Sequence, residues 1–370
     1  MCRWITFLST EEILLSDLVL KPSNSLVEQA IDASYHPGFA QRFNHQVNAD
    51  GFGVGWYHKN STCPAVFKDT EPAWSNVNLR EICNATKSAC VIAHVRAASP
   101  GMGVYAPNVH PFKAGRLLFA HNGAIQGFSQ IRRKLLAQVT DEAYLGIMGT
   151  TDSECCFGLL LTNLAKDGYS KISPYEQTEP FGHDRLYNAM KRTIRQLEHI
   201  LIISGIREAI DVPSRMNFTL SDGETVVCSR FVDKYPLVAP PSLYFAYGDA
   251  LQMQRELCDE ENADDGDDED APSDDSRHGI EILDDHDAVE KDLSFQQSLP
   301  GKLLKDVDPK SCAFIVSSDP LTKTSSEITW HRIAANSILC YTRGSIPRLH
   351  KLKVGGAKKP EDYAFFLVDF

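Results

Sequence analysis

MCRWITFL, residues 1–8, is the stretch on which the reading of this chain turns. WITFL at 4–8 has the aromatic and β-branched character of a short buried strand. A strand that starts this early ties the terminus to the core, where most termini fray. Cys2 directly follows the initiator methionine and is small enough for that methionine to be trimmed away. The mature chain is then expected to begin with Cys2, which carries a thiol and a free α-amine on one residue. Their ordinary pKa values, about 8.5 and about 8, leave each partly in its reactive form near neutrality. Such an amine can act as the base for its own side chain. On position alone the plainer reading is a buried strand cysteine. The segments downstream decide between the two.

Four of them stand out: AHVRAAS (93–99), NVHPF (108–112), FAHNGAI (119–125) and GTTDSE (149–154). An amide-cleaving cysteine needs donors for a developing oxyanion and a grip that presents the right amide to sulfur. Arg96 ends an apolar strand, and its planar fork suits a carboxylate; a surface salt bridge is the plainer use. The Asn122 side-chain N–H and the Gly123 backbone N–H can both point at one oxygen, although Asn-Gly alone also reads as a turn. Thr151–Glu154 fits a T-x-x-E capping box. That places Asp152 in the first helical turn, where the dipole favours its charged form and a substrate ammonium could be received. His110, before Pro111 in a long loop, is a candidate pocket residue or an idle loop histidine. Arginine for a carboxylate and aspartate for an ammonium together make a receptor for an α-amino acid head group.

Around these segments the chain reads as alternating strands and helices. Helices are expected over 25–34, 76–87, 125–138, 152–165 and 183–203. Strands are expected over 52–57, 90–95, 116–120, 215–220, 225–232, 243–247, 312–317 and 336–342. In 52–57 (FGVGWY) the glycines alternate, which suggests that another backbone or a ligand comes close. The apolar end Tyr363–Val368 is expected to be docked.

The formal net charge of −12 is unevenly placed. Residues 259–292 hold 17 Asp/Glu against 2 Lys/Arg, so the rest carries about +3, too little for a nucleic-acid footprint. The acidic run has little apolar content and is expected to be a disordered insertion, dispensable for chemistry, with an acidic tether for a basic partner as the alternative. Ten cysteines include no C-x-x-C pair and no His/Cys run with zinc spacing, so neither metal nor cofactor is expected. A chain of 370 residues needs no disulfide staples, which suggests reduced thiols and a cytosolic compartment. No signal peptide or membrane span is visible. No P-loop occurs either.

Cys2 after Met1, HVRAAS, HPF, HNG and TDSE stand in the order and spacing that resembles the class II glutamine amidotransferases. That resemblance covers about residues 2–250, with a weaker echo in SSDPLT (317–322). It implies an α+β fold, the four-layer αββα sandwich of N-terminal-nucleophile hydrolases. It also implies Cys2 as nucleophile, Asn122 and Gly123 as oxyanion hole, Arg96 on a substrate α-carboxylate and Asp152 on its α-amine. Ser99 stands where many members place a threonine near that carboxylate, and Ala97 where many carry tryptophan. The implied layout is an amidotransferase-like domain over 2–250, an acidic insertion over 257–298 and C-terminal strands over 299–370. NADGFGVGWY and the remaining motifs look most like the branch of the family that serves cytosolic glutathione degradation. There the implied partner is a larger peptidase-like subunit and the implied substrate glutathione, with glutamine sharing its γ-glutamyl half. Two rivals are a glutaminase subunit that passes ammonia to a separate synthase, and a catalytically silent assembly subunit.

Overall fold

β1 (Arg3–Leu14) is central to a seven-stranded sheet and buried on both faces over its first half. Side chains alternate across a strand, so Ile5 and Phe7 pack outward against helices while Trp4 and Leu8 face a second sheet. The structure is a computed structural model that describes residues 2–32, 47–98, 103–258, 307–322 and 326–352. The acidic run, Ser99 and Tyr363–Val368 lie outside those residues.

In the first sheet β1 sits between β4 (Lys87–Val95) and β10 (Cys312–Ser317). β2 (Phe52–Trp56) and β3 (Ala65–Asp69) continue beyond β4, and β9 (Tyr244–Asp249) and β11 (His331–Arg332) beyond β10. The second sheet runs β13 (Arg348–Lys351), β12 (Ser337–Thr342), β8 (Thr225–Arg230), β7 (Arg215–Ser221), β6 (Leu117–Ala124), β5 (Phe112–Ala114). The pairings are antiparallel.

Helices cover both outer faces. α1 (Leu15–Val19), α2 (Leu26–Ile31), α3 (Val77–Ala85) and α9 (Ala250–Cys258) pack on the first sheet. α4 (Phe128–Leu136), α5 (Asp141–Leu145), α6 (Asp152–Ala165), α7 (His183–Ile203) and α8 (Ile206–Ala209) lie on the side of the second. Between the sheets a third core forms from Trp4, Ile92, Leu118, Val226, Phe314 and Tyr341, among others. Polar contacts also cross this space: Thr6 Oγ1 lies 2.8 Å from Thr219 Oγ1. The layers are therefore α, β, β, α.

The alternating glycines of β2 do meet close neighbours. A Cβ on Gly53 would sit 2.1 Å from the His110 carbonyl oxygen, and one on Gly55 would sit 2.8 Å from Leu118. Several boundaries depart from the expectation. β1 runs past residue 8 because a register shift between Leu8 and Ile13 absorbs its polar stretch and lets pairing with β4 resume. Asn122 and Gly123 lie inside β6, paired with Asn217 and Met216, and not in a turn. α2 is shorter than expected, its start set by Ser25, whose Oγ accepts from Glu28 N at 3.2 Å. β3 was not expected, since AVFKD on a half-exposed edge offers little apolar pattern.

Candidate active site

The start of β1 is held by a group of buried polar contacts. Trp4 N donates to Ser318 Oγ and Ser318 N donates to Trp4 O, both at 3.0 Å. Arg3 Nε donates to Asp319 Oδ2 at 2.8 Å, and Ser242 Oγ to Asp319 Oδ1 at 2.9 Å. Burial pushes the Asp319 carboxyl up from its ordinary range, while Arg3 and Ser242 pull it back. These contacts explain the SSDPLT segment: Ser318 and Asp319 clamp the backbone next to Cys2.

Cys2 then meets the chain leaving β4. Ala97 N donates to Cys2 Sγ at 3.3 Å, and Sγ lies 3.5 Å from Ala97 O. Burial raises the thiol above its ordinary value; the Ala97 amide and the charges of Arg96 and Arg3 oppose that rise. In a chain extended at its terminus, so that no α-amine can help, Cys2 alkylation by iodoacetamide is expected to climb through the alkaline range. Peptide mapping follows it; a rate already level below the ordinary thiol value of about 8.5 would contradict the burial argument.

Arg96, 4% exposed, gives its guanidinium only long contacts, to Asp50 O at 3.5 Å and Gly103 O at 3.3 Å. No carboxylate pairs with it among the described residues. A buried guanidinium without a counter-charge is expensive. Its backbone is braced by the turn before β2: Arg96 N donates to Gly51 O at 2.8 Å, and Ala98 N to Asp50 Oδ2 at 2.8 Å. Gly51 has φ +103°, a conformation that favours glycine, and a Cβ there would lie 2.7 Å from Asp69 O.

His94 carries the site across to the second sheet, with Nε2 3.3 Å from His121 O, just before Asn122. Leu118 and Ala120 face the space between the sheets, so Asn122 shares that face by strand period. It is nearly buried, and its Oδ1 has no protein partner among the described residues. Gly123 is fixed by contact: a Cβ would lie 2.1 Å from Arg215 O. Behind the strand, His121 reaches Ser153 Oγ at 2.9 Å and Arg215 O at 2.8 Å. Asp152 Oδ2 accepts from Ile125 N at 2.6 Å and Oδ1 from Ser153 N at 2.8 Å. The capping box is present in altered form. Thr151 Oγ1 accepts from Glu154 N, but the Glu154 carboxylate turns to Met148 N and Gly149 N.

Cys2 therefore touches the chain that leaves β4 beside Arg96, while His94, two residues before Arg96, reaches His121 next to Asn122 and Gly123, and His121 reaches Ser153 next to Asp152. His110 does not line an open surface; it is buried, 4.2 Å from the His94 ring and 4.6 Å from Phe112. Sequence reasoning passed over His94, although HVR contains it, and Asp50, although the NADG turn was marked. Neither role shows without the pairing of β4 with β1 and β2.

The family model for class II glutamine amidotransferases matches residues 23–235. The probable glutamine amidotransferase DUG3 of Saccharomyces cerevisiae is 39% identical over 257 residues, 68% of this chain and 69% of that protein. A γ-glutamyl-hercynylcysteine sulfoxide hydrolase of Mycobacterium tuberculosis is 34% identical over 126 residues, 34% of this chain and 50% of that protein. A glutamine aminotransferase class-II domain protein from Silicibacter pomeroyi has a similar fold. Its TM-score is 0.52 at 20% identity, covering 96% of this chain and 100% of that one.

Proposed function

The chain belongs to the class II glutamine amidotransferase family, and from that premise we propose that it hydrolyses a γ-glutamyl amide bond, that of glutathione, with Cys2 as nucleophile. The observation that carries this reading is the half-buried Cys2 thiol on the Ala97 amide, one residue from the buried Arg96, whose guanidinium meets no carboxylate among the described residues. A thiol and a guanidinium without a carboxylate partner on neighbouring residues suit a substrate with a carboxylate at one end and a scissile amide further along.

In this mechanism, removal of Met1 exposes the Cys2 amine, which takes the thiol proton as sulfur attacks the γ-carbonyl. Asn122 and Gly123 N–H groups stabilise the oxyanion. The leaving amine receives the proton and departs as cysteinylglycine. Water then attacks the γ-glutamyl thioester, frees glutamate and returns the thiol. Arg96 holds the α-carboxylate and Asp152 the α-ammonium. Glutathione and glutamine share this half, so the clamp serves both and the leaving group decides between them. The name of the mycobacterial relative adds weight to γ-glutamyl chemistry. The setting we propose is cytosolic, with a larger peptidase-like partner; no helix among the described residues is long and apolar enough to cross a membrane. Incubating the chain, alone and with its co-purifying partner, with glutathione and with glutamine tests the reading by glutamate release. Glutamate from glutathione supports it, whereas glutamate from glutamine alone transfers it to an ammonia-delivering glutaminase.

The clamp has its own test. Arg96→Lys keeps the charge but loses the fork. Loss of a charge-assisted contact costs about 1.5–3 kcal/mol, so kcat/KM should fall roughly ten- to a hundredfold. Glutathione and glutamine should suffer alike, because the leaving group lies away from the clamp. Asp152→Asn should hurt both of them while barely affecting a des-amino analogue. A strong bias of Arg96→Lys toward one substrate would put Arg96 on the leaving-group side.

A further inference from the structure

Away from the nucleophile, β12, β13 and the start of α7 bring together three side chains that no sequence spacing links. Cys340 is fully buried on the face of β12 that meets the helical layer, the face shared by Ile338. His350 on β13 stands opposite Ile338 in the ladder. His183 is the first residue of α7. One ring nitrogen from each histidine and the Cys340 sulfur lie within 4.8 Å of one another. The Nε2 atoms of His183 and His350 are both buried without a hydrogen-bond partner among the described residues. Buried imidazole nitrogens are normally satisfied, so two such atoms beside a thiol point to something between them.

The surroundings suit a metal ion. His183 Nδ1 lies 2.9 Å from Asp184 Oδ1, the carboxylate contact that orients a ligating histidine and fixes its tautomer. The Tyr187 ring packs against His350 at 4.4 Å and restrains it. A cavity of about 190 Å³ opens beside the cluster, bordered by Asp184, Thr342, Ser345 and Arg348. It leaves room for a water as a fourth ligand. Two imidazoles and one thiolate form a borderline-soft set that favours zinc over magnesium or calcium.

We propose that His183, Cys340 and His350 form a zinc site that pins the β12–β13 edge of the second sheet to the start of α7. On binding, the Cys340 thiol gives up its proton to solvent and the thiolate bonds to the metal; nothing is oxidised or reduced. This site is independent of the Cys2 chemistry.

Cobalt(II) reports the ligands directly. The full-length chain, stripped with a chelator, is titrated with Co²⁺ and followed for a thiolate-to-cobalt charge-transfer band and intense tetrahedral d–d bands. One Co²⁺ per chain with both signatures, displaced by Zn²⁺, is expected. Losing even an outer partner of a metal ligand weakens affinity by about 10- to 100-fold, so His350→Gln should weaken Co²⁺ binding by at least roughly a hundredfold. Cys340→Ser should remove the charge-transfer band. Because Cys340 is buried and its replacement can disturb folding, the half-exposed His350 supplies the independent variant. No charge-transfer band in the wild type overturns the proposal. A band that survives in Cys340→Ser comes from another cysteine and overturns it too, as does unchanged affinity in His350→Gln.

Discussion

Cys2→Ala is expected to abolish γ-glutamyl hydrolysis, by at least about 10⁴-fold in kcat, while the thermal unfolding midpoint stays close to wild type. Removing a nucleophile from a cooperating set typically costs that much or more. The fold should tolerate the change because the buried contacts of the terminus belong to Arg3 and Trp4, not to the sulfur. Among the described residues, Cys2 Sγ makes just the two long contacts with Ala97. Steady-state glutamate release and a melting curve on the same preparation suffice. Substantial turnover by Cys2→Ala would favour a role in assembly over one in catalysis.

Asp319→Ala should destabilise the chain by about 3–5 kcal/mol, because it strips the counter-charge from a guanidinium buried in the core. Arg3 and Asp319 are each about 1% exposed. Arg3 Nη1 also donates to Cys2 O at 3.3 Å, so the loss should reach the nucleophile as well. Denaturant unfolding measures the first effect and kcat/KM the second. A double replacement, Arg3→Met with Asp319→Leu, should restore much of the stability, since apolar residues can replace a buried ion pair at little cost. Activity should stay low, because the anchor beside Cys2 would still be gone. If Asp319→Ala leaves both stability and activity unchanged, the ion pair does not hold the site.

The sequence carried a good part of the active region for a local reason. Two of the motifs sit at the end of a buried strand, where an apolar run followed by a polar signature marked them. FAHNGAI ends β6, and AHVRAAS leaves β4. Features made by distant pairing were hidden. His94 matters because its strand lies beside β1 and faces His121, and no single segment contains both. The grip of Ser318 and Asp319 on Trp4 and Arg3 joins opposite ends of the chain, and only a faint echo in SSDPLT hinted at it. The grouping of His183, Cys340 and His350 was hidden for the same reason, since one comes from a helix and two from neighbouring strands. For Asn122–Gly123 it was the turn alternative that failed. Asn-Gly is a strong local turn signal, but pairing with Asn217 and Met216 kept the dipeptide in a strand. There Gly123 serves the close approach of Arg215 rather than a turn.

The central claim, a γ-glutamyl site built on a free N-terminal Cys2, is tested most directly with a glutamine analogue whose side-chain amide is replaced by a diazomethyl ketone. The nucleophile that attacks it is alkylated as dinitrogen leaves. Intact mass and peptide mapping after inactivation should show one adduct per chain, on a peptide that begins with Cys2 and lacks Met1. Inactivation should track labelling, and glutathione should slow both. Complete inactivation with Cys2 unmodified, or an active preparation that retains Met1, would contradict the account.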